Sequence, residues 1–214
     1  MSDFAKEKQA IIDAMVAYKV PGIQKAADDA KAAGMEATEI IDVMGAGMSD
    51  VGILFERGKL FLPHVLSAAN GMTAVVKSLE ADLPVDKMGS TLAKVCMGTV
   101  EGDVHDIGKS ICSTMLQCGG FDVVDVGRDV PSKEFVAQVV ENGCTMLGMS
   151  ALMTTTMTVQ RDVIALLEEA GVRNKVKVMV GGAPVTQAWA DKIKADCFSE
   201  SASEQVDKAK ALLE

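Results

Sequence analysis

The sequence predicts an α/β protein: an N-terminal bundle of four helices, then a five-stranded parallel sheet wound with helices on both faces. Three observations predict it. Apolar residues recur at helical spacing from the start of the chain to about Glu80. From Leu92 onward, short strand-like runs alternate five times with helical segments, the pattern of repeated β-α units and so of a parallel sheet. Between the two, the helical period lapses over a stretch that holds Pro84, Gly89 and several charges. The expected organisation is a helical bundle over residues 1–82, a linker over 83–91 and a sheet domain over 92–214.

In the bundle, Phe4 to Tyr18 places Ile11, Ile12, Met15 and Val16 on one face. Pro21 sits where a first helical turn tolerates it, and Gly34 stops the second helix after Ala33. The third helix opens at Thr38 and continues through Met48, Val51, Leu54 and Phe55, with Gly45 and Gly47 as weak points. Arg57, Gly58 and Lys59 break it, and a fourth begins near Phe61 with Pro63 in its first turn. Short connections favour antiparallel packing.

In the sheet domain the expected strands are Lys94–Met97, Phe121–Val126, Thr145–Met149, Val176–Val180 and Asp196–Phe198. The expected helices are 109–118, 131–140, 155–170, 185–194 and 202–213.

Composition narrows the function. The chain has 214 residues, 49% apolar and 24% charged, which argues for a packed core rather than disorder. A net charge of −9 offers no basic patch for nucleic acid. The start of the chain lacks an apolar signal region, and no apolar run is long enough to span a bilayer. A cytoplasmic protein without a membrane partner is expected. Five cysteines, an odd number without a Cys-x-x-Cys pair, disfavour both a disulfide framework and a zinc site.

Three strand-to-helix loops should lie at one end of the sheet, where open parallel sheets bind ligands. The first is Gly102, Asp103, Val104, His105, Asp106, Ile107 and Gly108. The second runs from Ser150 through Leu152 to Thr154 and Thr156, and the third holds Gly181 and Gly182. Neither a phosphate loop nor a Gly-x-Gly-x-x-Gly turn is present, which disfavours nucleotide triphosphates and dinucleotides. A Gly-x-Ser-x-Gly elbow is also lacking. Of the two histidines, His64 follows Pro63 on a helix and reads as structural. His105 has Asp103 two residues away, and a metal-bound imidazole commonly gives its second N–H to a carboxylate. One histidine cannot hold a bare divalent ion. If His105 binds a metal, the other ligands must come from a macrocycle.

Asp103-Val-His-Asp-Ile-Gly108, Ser150-Ala-Leu152 and Gly181-Gly182 resemble the three signature motifs of cobalamin-binding domains that hold the cofactor base-off with histidine on. The stretch from Gly47 to Pro63 resembles the helical cap of methionine synthase and of the small corrinoid proteins of methanogens. The resemblance implies a Rossmann-like (flavodoxin-like) cobalamin-binding domain under an N-terminal four-helix cap. By motif, it implies His105 as lower axial ligand of cobalt, Asp103 as its hydrogen-bond partner and Thr156 as the extension of that relay. Asp106, Ile107 and Gly108 complete the cofactor-binding loop. Ser150, Leu152 and Thr154 line the slot for the nucleotide tail, with Gly108, Gly181 and Gly182 making room. Phe55 and Leu62 shield the upper, methyl-bearing face.

The function implied is that of a non-autonomous methyl-carrier subunit. Cobalt(I) accepts a methyl group from a methylamine through a substrate-specific methyltransferase. The methyl-cobalt(III) form then passes it to a coenzyme M methyltransferase in methanogenesis, and a reductive activase restores the corrinoid. Exchange between the two states moves His105 on and off the metal, with a proton taken up or released along the Asp103–Thr156 relay. The resemblance leans to monomethylamine as donor. Alternatives are a cobalamin-sensing regulator, the small subunit of a radical mutase, and the corrinoid subunit of a methanol, dimethylamine or trimethylamine system.

Overall fold

The computed structural model describes residues 4–79, 82 and 91–214. The chain divides into two compact units, with the division between Ser90 and Thr91. The linker expected over 83–91 lies outside the described residues, except for Thr91.

The first unit holds α1 (Ala5–Val16), α2 (Val20–Ala32), α3 (Ala37–Glu56) and α4 (Leu62–Leu79). α1 packs on α3 and α2 on α4, around Ile11, Met15, Ile23, Ile40, Met44 and Val65. Pro21 falls in the first turn of α2, as its missing N–H and fixed φ favour. Gly34 ends that helix at φ +95°. Gly47, expected as a weak point, is a contact instead. A Cβ there would sit 3.0 Å from the Cβ and Cγ of Met15, so the missing side chain lets α3 approach α1.

The second unit is a five-stranded, wholly parallel sheet in the order β2-β1-β3-β4-β5. Its strands are β1 (Lys94–Val100), β2 (Asp122–Val130), β3 (Met146–Ser150), β4 (Lys177–Gly181) and β5 (Cys197–Phe198). The helices are α5 (Ile107–Cys118), α6 (Ser132–Glu141), α7 (Thr154–Glu169), α8 (Gln187–Ile193) and α9 (Ala202–Ala211). Residues 97, 147, 149, 178 and 180 are buried, as strands covered on both faces require. The core lies between β1, β3 and β4 and the covering helices, with Phe135, Val163 and Leu167 at its centre.

Four boundaries near the site differ from expectation. β1 continues past Met97 to Val100, and the absent side chain of Gly98 leaves room for the Phe135 ring. β2 continues past Val126 to Val130, and its register on β1 slips at Gly98. α5 and α7 begin early, so Ile107, Gly108, Thr154 and Thr156 belong to first helical turns rather than loops. A short 3-10 turn at Arg173–Lys175 was not predicted.

The strand order places the functional loops. The chain leaves β1 for β2 on one side and then returns to β3 on the other. Such a reversal opens a crevice at the C-terminal ends of β1 and β3. Thr99, Ser150 and Gly181 stand abreast there on β1, β3 and β4.

Candidate functional site

The site is built on one buried carboxylate. Asp103 follows β1, and its N–H turns back to the carbonyl of Val100 at 3.1 Å. Its side chain is fully buried and takes four donors. Oδ1 accepts the His105 backbone N–H at 3.1 Å and faces His105 Nδ1 at 2.7 Å. Oδ2 accepts the Leu152 N–H and the Thr156 hydroxyl, each at 2.7 Å. Burial alone would raise this carboxyl. The bonds from Leu152, Thr156 and His105 outweigh it and hold the group down at about 2, from 3.8.

An ionised carboxylate only accepts, so the proton between Asp103 and His105 sits on Nδ1. That leaves Nε2 of the neutral ring as a lone-pair donor on a side chain that is 49% exposed. The His105 backbone is fixed on its other side as well. Its carbonyl accepts the buried Thr99 hydroxyl at 3.0 Å.

The end of β2 forms a brace around the same loop. Asp129 has φ +52°, rare for a residue with a side chain. Its N–H donates to the Asp103 carbonyl at 3.0 Å, and its carboxylate accepts the Gly102 N–H at 2.7 Å. Arg128 donates weakly to the Val104 carbonyl and lies 3.6 Å from Asp106. In the first turn of α5, Lys109 is buried, with its Nζ 2.6 Å from both oxygens of Asp125 on β2. Neither Thr99, Asp129 nor Lys109 was singled out in the sequence. Each acts through a partner on another element, and no local spacing marks it.

The expected site residues divide as follows. Asp103, His105, Leu152 and Thr156 form one hydrogen-bonded cluster. Asp106 precedes α5, while Ile107 and Gly108 occupy its first turn. Ile107 is 78% exposed, and Val104, Leu152 and Met153 are exposed apolar side chains on the same two loops. Leu152 therefore contributes a backbone N–H to Asp103 and an apolar side chain to the surface. Ser150 ends β3 beside Gly181, and Thr154 is exposed at the start of α7. Gly182 has φ +124°, and a Cβ there would meet the carbonyl oxygen of Ala151 at 1.8 Å. The loops after β3 and β4 touch at that point, and no other residue type fits.

Within the helical unit, Phe55 is half-buried in the last turn of α3 and Leu62 is half-buried at the start of α4. Ile53, Phe61 and Leu66 are exposed around the same corner. His64 also lies there, and its role is structural. Its Nδ1 accepts the Phe61 N–H at 3.0 Å, and its ring stacks on Tyr18 at 4.3 Å between centroids.

The donor chemistry can be tested against a metal or cofactor. Among the described residues no group of three or more His, Cys, Asp or Glu side chains could hold a metal ion. The cysteines are not substitutes: burial pushes the Cys96 thiol up to about 12 and those of Cys112 and Cys118 to about 11. One oriented imidazole nitrogen beside an apolar rim fits a metal whose remaining ligands arrive with an organic ring.

Comparison with known proteins agrees. A sequence model of the B12 binding domain matches residues 93–207, and a second of the same description matches residues 7–80. The chain is similar to dimethylamine corrinoid protein 2 of Methanosarcina acetivorans, with 60% identity over 206 residues, 96% of this chain and 95% of that protein. It is similar in structure to the methanol:cobalamin methyltransferase complex of Methanosarcina barkeri, with 31% identity and a TM-score of 0.72 over 100% of this chain and 81% of that one. It is also similar to the Methanosarcina barkeri monomethylamine corrinoid protein, with 36% identity and a TM-score of 0.54 over 94% and 96% of the two chains.

Proposed function

Since the chain belongs to the B12-binding family, in which the cofactor is a cobalamin-type corrinoid, we propose that it is a methyl carrier that holds this cofactor base-off with His105 on the cobalt. The observation that carries the reading is the buried, ionised Asp103 that fixes the proton on His105 Nδ1 and leaves Nε2 as the ligand. When bound, the corrinoid supplies a cobalt centre that takes up a methyl group and gives it away.

The chain's own residues orient and protect. Asp103 sets the tautomer and direction of the ring, and Leu152 and Thr156 hold Asp103 in place. Asp103, held ionised, would keep the shared proton on the His105 ring. This assigns Thr156 the part of a fixed donor rather than a proton store. Ile107 would offer an apolar contact to a bound corrin ring, and Asp106 and Gly108 shape the turn that carries His105 into α5. Ser150, Leu152, Thr154, Gly181 and Gly182 take the nucleotide tail. Phe55 and Leu62 of the helical unit would serve as apolar cover for the bound cofactor.

The donor is read as a methylamine. The 60% identity to a protein named for dimethylamine, against 36% to one named for monomethylamine, moves the reading from monomethylamine to dimethylamine. The likeness to the methanol:cobalamin methyltransferase complex supports docking on a substrate-specific methyltransferase. A coenzyme M methyltransferase and a reductive activase complete the proposed cycle. Among the described residues no helix is long and apolar enough to cross a membrane.

The test is reconstitution with methylcobalamin. The expected visible spectrum is base-off/His-on in the native chain and base-off in His105→Ala. An unchanged spectrum in the variant overturns the reading. Mixing the loaded protein with each purified methyltransferase then decides the donor. Methylation by the monomethylamine or methanol partner alone overturns dimethylamine.

A further inference from the structure

Gln160 lies in the second turn of α7 and is fully buried. Its Nε2 donates to the Met149 carbonyl at 3.0 Å and to the Gly181 carbonyl at 3.2 Å. Its Oε1 accepts the indole N–H of Trp189, on α8, at 3.0 Å. One side-chain amide thus joins the C-terminal ends of β3 and β4 and ties both to α8. Two donors on one atom and an acceptor on the other are what these three partners require. The indole N–H decides which way the amide faces. A carboxylate would set an acceptor against two carbonyls, and an apolar side chain would take one donor from each carbonyl and leave the indole N–H without its acceptor.

The placement matters because of what hangs from these strand ends. Ser150 pairs with Gly181, and the Ala151 N–H donates to the same Gly181 carbonyl at 3.1 Å. One residue further on, Gly182 touches Ala151. The spacing of the two loops is therefore set where Gln160 grips them. The histidine side has its own anchors, because Asp103 holds the start of α7 through Leu152 and Thr156.

We propose that Gln160, oriented by Trp189, is a positioning residue that sets the gap between the ends of β3 and β4 and thereby the seat of the corrinoid's nucleotide tail. The proposal rests on the reading that Ser150, Leu152, Thr154, Gly181 and Gly182 receive that tail. Its consequence is selective: a ligand with the tail depends on Gln160, and a corrin ring without the tail does not.

The experiment titrates the full-length protein with cobalamin and, separately, with cobinamide, which lacks the nucleotide tail, following the visible spectrum. Gln160→Met is expected to weaken cobalamin about tenfold and cobinamide less than about twofold, the loss of the order that a few buried hydrogen bonds supply. Trp189→Phe keeps the amide but frees it to turn, and is expected to lose about threefold for cobalamin alone. It also keeps the test open should Gln160→Met not fold. Equal losses for both ligands, or none in either, overturn the proposal and leave Gln160 a structural residue. If the native chain itself binds the two ligands equally, the tail-seat reading falls, and the proposal with it. If the native chain discriminates and both variants discriminate as strongly as it does, only the Gln160 proposal falls.

Discussion

The two histidines of the chain occupy opposite situations, and the contrast lies in what meets Nδ1. His64, at the corner between α3 and α4, accepts a backbone N–H there. Its proton is confined to Nε2, and the ring serves to close a helix start and to stack on Tyr18. His105, after β1, donates a hydrogen bond from its Nδ1–H to a carboxylate that four donors keep ionised. Its Nε2 is a base. A single hydrogen bond, read for direction, separates a structural ring from a proposed ligand.

The contrast can be broken most severely by removing each ring in turn. His105→Ala should abolish the His-on absorption of the methylcobalamin-loaded protein, and His64→Ala should leave that spectrum unchanged. A spectral change in the second variant, or none in the first, removes the distinction.

Asp103→Asn comes next. It replaces an acceptor by a group whose NH₂ faces donors in a buried site, and should cost about 3 kcal/mol in urea unfolding. The same variant tests the charge. With the carboxyl lowered from 3.8 to about 2, its stabilisation is complete above about pH 4, declines as pH falls between those values and is gone below them. Native and Asp103→Asn unfolding free energies should therefore converge as pH falls towards 2. Curves that stay parallel would show that Asp103 is not held ionised.

Thr156→Val removes one donor to Asp103 and should cost about 2 kcal/mol, with Thr156→Ser restoring most of it. A Ser variant as unstable as the Val variant would place the loss in packing. The smallest effect is on the structural side: His64→Ala should cost about 1 kcal/mol of thermal stability through the lost cap and stack. A loss of several times that would mean the ring holds more of the bundle than its two contacts show.

Much of this was legible in the sequence. The alternation of strand and helix after Leu92 gave the sheet, and the i, i+2 spacing of Asp103 and His105 gave the pair at its edge. Thr156 entered by resemblance to a motif, and the structure places its hydroxyl on Asp103. Other parts were illegible for a physical reason. The Leu152 N–H that grips Asp103 is a backbone group, so residue identity carries no sign of it. Asp129 and Trp189 find their partners 26 and 29 residues away, across strands whose pairing no local pattern encodes. Gly47 read as a weak point, and Gly98 gave no sign, because their use, close approach of Met15 and Phe135, exists only after folding.

The apolar rim of Val104, Ile107, Leu152 and Met153 carries a last consequence. Exposed apolar side chains gathered on neighbouring loops make a surface that self-associates when nothing covers it. Loading the corrinoid would then do more than equip the protein for chemistry. It would cover apolar surface that otherwise faces water, so that the freshly made chain is more prone to precipitation before it meets its cofactor.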